Sequence, residues 1–536
     1  MSSAVSRVVT VLALALAVFV GVLLTQYVLP PHIPRFRVET FWMWFLAVGI
    51  LAVLLRPASQ PGVRPASGPT TTPAGQIGDG RGPDHHLTPI QLAALGGILS
   101  VLTFLQYGAA LRVGWLSDDF VLADWANRRE WIHVGETGFV RPVIPMFWSI
   151  FWYLPFSWPA TLHAVNLALH ALNGLLIVLI ALCLRLDRQT AIAAGLILVT
   201  FSAMSEAIVW ISGMQDVMMT TLGLLTVLAM LRSGMEPVPA WASPLAIASA
   251  AVALGVKETA VAIPLLGWAL AWATPEGIGA GARRRTGVVV TALAVLYTVA
   301  RAFFGVSSGY AEGVSRYFFK QLAVDPFASL GEPWSAAWLR ANPSASLSRG
   351  LFIAALIAAA FAVWRRRDSA FRIALASAAW VLVGVLPVFT FFHVSATLEG
   401  SRYLYLPAAG FSLLIASLGG SLAGRLRSAR ISSGLMAAGV LVLVVPSLAA
   451  SRAEIARWTE AAGLRDRILV SYVRLMPSLS CGTFVAEGRV DNIEGAYVLR
   501  NGFRQALEEM GAGLDRSAAS RCAIDWTDHL IVREQR

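Results

Sequence analysis

Residues 89–120 read PIQLAALGGILSVLTFLQYGAALRVGWLSDDF. From Pro89 to Leu111 nothing is charged, and then Asp118 and Asp119 stand side by side before Phe120. Crossing the hydrocarbon of a bilayer takes about 20 apolar residues in a helix. The stretch therefore predicts a transmembrane span with two carboxylates just beyond its end. The span makes this a membrane protein, and the paired acids point to work done at the membrane surface.

The same pattern recurs along the chain. Of its 536 residues 57% are hydrophobic and only 14% charged, against about 25% charged in soluble domains. Apolar runs at 8–29, 40–55, 89–111, 160–184, 190–209, 214–231, 241–256, 259–274, 287–303, 350–364, 371–391, 403–421 and 432–450 predict about thirteen spans. Helix is the state that satisfies backbone groups in lipid. The weak alternation of a membrane β-barrel is absent. The first run is followed by Leu29-Pro30-Pro31 and not by a small-residue cleavage site, so it reads as a retained span.

The net charge of +11 carries no nucleic-acid signature, because the arginines fall in short clusters between spans. Arg185 and Arg188, Arg232, Arg283–Arg285, Arg365–Arg367, and Arg425, Arg427 and Arg430 share one side if thirteen spans alternate. The positive-inside rule makes that side the cytoplasm. The N-terminus is then expected inside and the C-terminus outside a bacterial inner membrane. Two lysines against forty arginines suit a GC-rich, bacterial genome.

Four regions follow: an accessory hairpin at 1–56, a Pro- and Gly-rich cytoplasmic linker at 57–88, a transmembrane core at 89–451 and a small periplasmic domain at 452–536. Cys183 lies in a span and reads as packing, whereas Cys481 and Cys522 lie in the last region, where an oxidising compartment permits a bridge. Two long loops, 112–159 and 304–349, face outward. The first carries Val143–Tyr153, which suits a helix in the interface with Trp148, Trp152 and Tyr153 at headgroup level. The second carries Tyr310, Arg316, Tyr317, Lys320, Trp334 and Trp338.

The chemistry-bearing residues sit at the outward ends of these spans. One of the adjacent carboxylates Asp118 and Asp119 holds its proton longer because like charges repel, and either can act as a base toward a hydroxyl. The plainer reading is a cap for a helix over Phe120–Arg128. His163, Asn166, His170 and Asn173 are spaced 3, 4 and 3, so they share one helical face. For the last three the simpler role is interhelical hydrogen bonding, at about 0.6 kcal/mol per bond. His163, at the outer end, is equally a site residue. Glu206, Gln215 and Asp216 flank the turn Trp210-Ile211-Ser212-Gly213. Lys257 is a compact partner for phosphate, with a local ion pair to Glu258 as the simpler alternative. Arg402 can grip a phosphate in a fork, and Tyr403 and Tyr405 follow it into the next span. Asp118, Asp119, Glu206 and Asp216 include enough oxygens for a divalent ion, though no spacing demands one.

In this order the motifs resemble the GT-C membrane glycosyltransferases, over about residues 112–420. The nearest likeness is to the membrane half of tetratricopeptide-containing protein O-mannosyltransferases. Protein O-mannosyltransferases and lipid A aminoarabinose transferases are more distant. The elements are Asp118-Asp119-Phe120, Arg141-Pro142, the His163 to Asn173 face, Ser205–Gly213 with Asp216, Lys257-Glu258-Thr259, and Arg402–Pro407 with Gly410-Phe411. The resemblance implies an all-α, polytopic GT-C-like bundle. It also implies an inverting transfer of a sugar from a polyprenyl-phosphate donor to an acceptor hydroxyl at the outer face. Asp118 or Asp119 would be the base. Arg141, Lys257 and Arg402 would hold the donor phosphate, and His163, Glu206, Asp216, Glu258, Tyr403 and Tyr405 would contact substrate. No cofactor is required, and a divalent metal stays open. The expected partners are the lipid-linked donor, the bilayer and an acceptor that the sequence does not identify. This chain departs from the O-mannosyltransferases at Met214-Gln215, where an Arg is common, and no tetratricopeptide repeats follow. The alternatives are a transporter or flippase of lipid-linked sugars, and a polymerase or ligase using a lipid-diphosphate donor.

Overall fold

The computed structural model describes residues 87–132, 140–151, 158–274, 280–303, 369–388, 398–424, 429–475 and 491–509, with isolated positions between 326 and 394. The first two expected spans, most of the linker, nearly all of the 304–349 loop, most of the expected span at 350–364, Trp152, Tyr153, Cys481 and Cys522 lie outside the described residues.

The chain is a multi-pass helical membrane protein. Helix α1 runs Pro89–Tyr107 and opens with a capping box, in which Thr88 accepts from the Gln91 backbone and Gln91 reaches back to the Thr88 N–H. A short 3-10 segment, Gly108–Arg112, leads to α2, Asp118–Arg128, and α3, Val143–Phe151. Then come α4 (Trp158–Cys183), α5 (Arg188–Thr200, capped by Asp187), α6 (Ser205–Val209) and α7 (Met214–Arg232). Helices α8 (Ala242–Val256), α9 (Ile263–Ala273), α10 (Ala280–Phe303), α11 (Ser369–Val385) and α12 (Tyr405–Ala423) complete the bundle. Helix α13 spans Ala429–Leu475, and a two-stranded turn, β1 (Asn492–Ile493) and β2 (Ala496–Tyr497), precedes α14 (Phe503–Glu509).

Among the described residues six helices are long and apolar enough to cross a membrane, or seven if the bent pair α5 and α6 is one span. The expected runs 8–29, 40–55 and most of 350–364 lie outside those residues, so the count covers ten of the thirteen runs read from the sequence. The runs 241–256 and 259–274 form helices of only 15 and 11 residues, and the run 190–209 bends by 43° near Phe201. Helix α7 is surrounded by protein on nearly every side, whereas α1, α10 and the first half of α13 turn Ile98, Phe104, Val295, Leu296, Leu441 and Val445 outward. Apolar side chains exposed in such rows suit contact with lipid.

Small residues bring the inner helices together. A Cβ on Gly195 would lie 2.8 Å from the Gly174 carbonyl, and one on Gly410 would lie 2.6 Å from the Trp380 indole. Such contacts, not apolar exclusion, hold helices together in lipid.

The break between α5 and α7 is where the polar face of α4 is used. In lipid an unwound backbone must find internal partners. Phe201 follows α5 in extended conformation, and the carbonyls around it find side chains. The Val199 oxygen meets His170 Nε2 at 3.0 Å, that of Thr200 accepts from Gln106 at 3.0 Å, and that of Phe201 accepts from the Tyr107 hydroxyl at 3.2 Å. Asn166 donates to Ala207 and Ile208 oxygens, both at 2.9 Å, and Asn173 to that of Val217 at 3.2 Å. Replacing Asn166 with Leu leaves two buried carbonyls without that donor. We expect Asn166→Leu to lower stability by about 1–3 kcal/mol for each carbonyl, read as the midpoint of unfolding in detergent. An unchanged midpoint would show that the bend does not depend on this face.

Candidate functional site

The bend delivers four side chains to one end of the bundle. Glu206 sits in α6, Ser212 in the 3-10 turn Ile211–Gly213, and Gln215 and Asp216 in the first turn of α7. The turn closes tightly, since a Cβ on Gly213 would lie 2.7 Å from Ala207 Cα and 2.8 Å from the Glu206 carbonyl. The ends of neighbouring helices supply the rest.

Three cations and three carboxylates meet there as pairs. Arg141 donates to both oxygens of Glu258, at 2.8 and 2.5 Å, and to Gln215 at 2.7 Å. Lys257 Nζ lies 2.6 Å from each oxygen of Asp216, with both side chains buried. Arg402 binds Glu206 through its guanidinium and, at 3.1 Å, through its backbone N–H. The simpler sequence reading, a Lys257–Glu258 pair, is not what forms. These neighbours turn to different partners, because Lys257 leaves α8 in extended conformation while Glu258 begins a 3-10 turn.

Aromatic rings tie the pairs together. The Lys257 ammonium lies 5.1 Å from the Tyr403 ring centre, and the Arg402 guanidinium lies 5.1, 4.8 and 5.7 Å from Trp210, Tyr403 and Tyr497. Arg402 also donates to the hydroxyls of Tyr403 at 3.1 Å and Tyr497 at 3.0 Å. Cation–π contacts strengthen when desolvated, to about 2 kcal/mol or more.

The two adjacent aspartates have separated roles. Asp119 is fully buried. Its Oδ2 accepts from Leu116 N at 2.8 Å, and its Oδ1 accepts from Ser212 N at 2.7 Å and Ser212 Oγ at 2.5 Å. Asp119 thus pins the start of α2 to the 3-10 turn. Burial pushes its carboxyl up to about 8, against the pull of those three donors. Asp118 is half-buried, its Oδ1 accepting from Asn501 Nδ2 at 2.5 Å. None of these donors belongs to α2, so Asp119 does not cap that helix, while Asp118 is the acid turned toward the surface.

The other expected site residues divide. Glu206, Asp216, Glu258 and Tyr403 join the cluster. His163 is fully buried near the Gly114 backbone. Tyr405 is bound from α4, its hydroxyl 2.6 Å from His170 Nδ1 and 3.1 Å from Asn173 Nδ2. It begins α12, so its side chain enters the bundle and serves helix contact. Trp148, expected at headgroup level, is instead fully buried against Trp115, with ring centres 5.5 Å apart. Among the described residues no three His, Cys, Asp or Glu side chains gather as metal ligands.

What the sequence did not reveal comes from the C-terminal region. The expected boundary at 451 falls inside α13, which continues unbroken to Leu475 and stacks Trp458 on Trp210, 6.2 Å between ring centres. Val498 O accepts from Ser117 N at 3.1 Å, and Tyr497 and Asn501 enter the site as described. The Asn501-Gly502 dipeptide was the available signal, a turn former in a region with no other motif.

No family model matches the chain, and no curated protein matches it. Two crystal structures of ArnT from Cupriavidus metallidurans are similar to it. The one bound to undecaprenyl phosphate aligns over 82% of this chain and 90% of that chain, with a TM-score of 0.42 and 14% identity. The apo form aligns over 81% and 89%, with a TM-score of 0.40 and 15% identity.

Two outcomes follow from this geometry. Asp216→Asn strands a buried ammonium and is expected to cost about 3–5 kcal/mol, with Asp216→Leu/Lys257→Met recovering most of it. Detergent unfolding of the single and double variants measures this, and a double variant no better than the single one contradicts it. For Asp119 the folded value lies above the unfolded value of about 4. Its stabilisation relative to Asp119→Asn is therefore complete below about pH 4 and is lost as the pH rises through 8. Melting temperatures of both proteins across that range should converge in this direction, and a gap that widens with pH would reverse the assignment.

Proposed function

We propose that this protein is an inverting glycosyltransferase that moves a sugar from a polyprenyl-phosphate donor to an acceptor hydroxyl. The observation that carries this reading is the placement of a half-exposed carboxylate, Asp118, at the same bundle end as Arg141, Lys257 and Arg402. The order of motifs from Asp118 to Gly410 supports it independently.

Asp118 takes the proton of the acceptor hydroxyl as its oxygen attacks the anomeric carbon. The bond from that carbon to the phosphate oxygen breaks, the configuration inverts, and the lipid phosphate leaves with the bonding electrons. Negative charge then grows on the phosphate, and preorganised donors aimed at that charge lower the barrier. Arg141, Lys257 and Arg402 supply them. Glu258, Asp216 and Glu206 hold these cations in position before the donor arrives, and Tyr403 lies between Lys257 and Arg402. Because each cation is already paired, a bound phosphate shares them with carboxylates. Net attraction for the ground state is thereby moderated, while the added charge of the transition state still meets a fixed array. Asp119 orients the helix that carries the base.

Asp118→Asn should lower transfer about 10²–10⁴-fold with insertion and melting temperature unchanged. The assay is transfer from a panel of labelled polyprenyl-phosphate sugars by protein reconstituted in vesicles. Wild-type turnover in the variant would remove Asp118 from this role. Movement of labelled donor across the vesicle wall, with no new glycosidic bond, would favour a transporter instead.

A further inference from the structure

The segment from Asp491 to Gly502 is stitched to the start of α2. Ser117 has a left-handed φ of 50°, rare for a residue with a side chain. Two bonds from the C-terminal segment hold it there: Ser117 N donates to Val498 O at 3.1 Å, and Asn501 N donates to Ser117 Oγ at 3.2 Å. Gly502, with φ of 74°, packs so closely that a Cβ there would lie 2.6 Å from the Ser117 carbonyl oxygen. A glycine is required on both grounds, strain and space. On the other flank Arg500 pairs with Glu399 at 2.9 Å and lies 5.6 Å from the Tyr497 ring centre. The segment thus spans from the acidic helix to the turn that carries Arg402.

This lattice presents one side chain to the carboxylate of Asp118. Asn501 Nδ2 donates to Oδ1 at 2.5 Å, while Oδ2 has no partner among the described residues. A carboxylate with one oxygen tethered has a fixed plane, and its second oxygen has a fixed direction. Proton transfer needs a base held in hydrogen-bond reach of the hydroxyl it serves, and small misplacements are costly.

We infer that Asn501 is the positioning residue of the base: its side-chain amide holds Oδ1 of Asp118 and leaves Oδ2 to the acceptor hydroxyl, so the C-terminal segment completes the acceptor side of the site. The inference rests on the glycosyltransferase reading for its chemistry, but the tether itself is a matter of structure. Asn501 is exposed, so its variants should fold.

The test uses the full chain in vesicles with labelled polyprenyl-phosphate sugars. Asn501→Ala should lower kcat about tenfold or more, the effect of losing a hydrogen bond to a charged group, with KM for the donor nearly unchanged. Asn501→Asp keeps the size but sets two carboxylates face to face, which share a proton when acidified. Its activity should be lost at neutral pH and partly return on acidification, where the wild type gains nothing. A purely structural role would not produce that acid-shifted profile. Wild-type kcat in Asn501→Ala, or a wild-type profile in Asn501→Asp, overturns the inference.

A second readout needs no turnover. Carbodiimide coupling of glycine ethyl ester to Asp118, followed by peptide mass spectrometry, should rise severalfold in Asn501→Ala while Asp119 stays unmodified. Equal coupling at Asp118 in wild type and variant overturns the tether. If no lipid-phosphate sugar supports transfer by the wild type, the glycosyltransferase reading fails, and the coupling experiment still decides on Asn501.

Discussion

Everything at the functional end of this bundle depends on carbonyls that a continuous helix would have satisfied. Between Val199 and Val217 the backbone bends and tightens, and its oxygens are received by His170, Gln106, Tyr107, Asn166 and Asn173. In water such a bend would cost little, because solvent would fill the vacant positions. Within a membrane bundle each unmet carbonyl costs several kcal/mol, so the donors on α1 and α4 are a condition for the bend. The bend in turn sets Glu206, Ser212, Gln215 and Asp216 against the ends of other helices. The cluster of ion pairs thus rests on hydrogen bonds deeper in the bundle.

The ion pairs built on that scaffold differ in kind. Lys257 and Asp216 are both buried, whereas Arg141 and Glu258 keep part of their surface, as does Arg402 over Glu206. A buried pair contributes little net stability, because desolvation offsets attraction, yet losing one member is severe. Lys257–Asp216 therefore acts as a fixed element. The more open guanidiniums of Arg141 and Arg402 present planar donors, suited to share an incoming anion.

Much of this was legible in the sequence, for identifiable reasons. The His163 to Asn173 spacing predicted one polar face, because helical period fixes direction. It assigned Asn166, His170 and Asn173 to helix contact, which is where they lie. The gathering of Asp118, Glu206, Lys257 and Arg402 at one end followed from each standing at or near a span terminus, and Arg141 reaches it from the outward loop 112–159. Partner choice was not legible: Lys257 and Glu258 are adjacent, yet the backbone turn between them sends one to Asp216 and the other to Arg141. Nor could composition divide labour between Asp118 and Asp119, since neighbouring positions on a helix point about 100° apart. Hydropathy marked the runs 190–209, 241–256 and 259–274 as apolar, but not that the first bends or that the other two form helices of only 15 and 11 residues. Tyr497 and Asn501 were missed because their contacts to Arg402 and Asp118 close over sequence gaps of 95 and 383 residues, and no periodicity reports a loop of that size.

The 47 residues of α13 have a geometric corollary. At about 1.5 Å per residue such a rod is on the order of 70 Å long, more than twice the roughly 30 Å of hydrocarbon. Its first half shows Leu435, Leu441 and Val445 outward, and its second half buries Ile455, Trp458 and Ala461 against the protein. Standing upright, it would rise as a mast out of the lipid, with Trp458 stacked on Trp210 and Arg465 clasping the Trp115 carbonyl. The rod meets the chain just before the acidic helix, at Val113 and Trp115. A rod of that length ties the segment before the acidic helix to the lipid-facing half of the same rod.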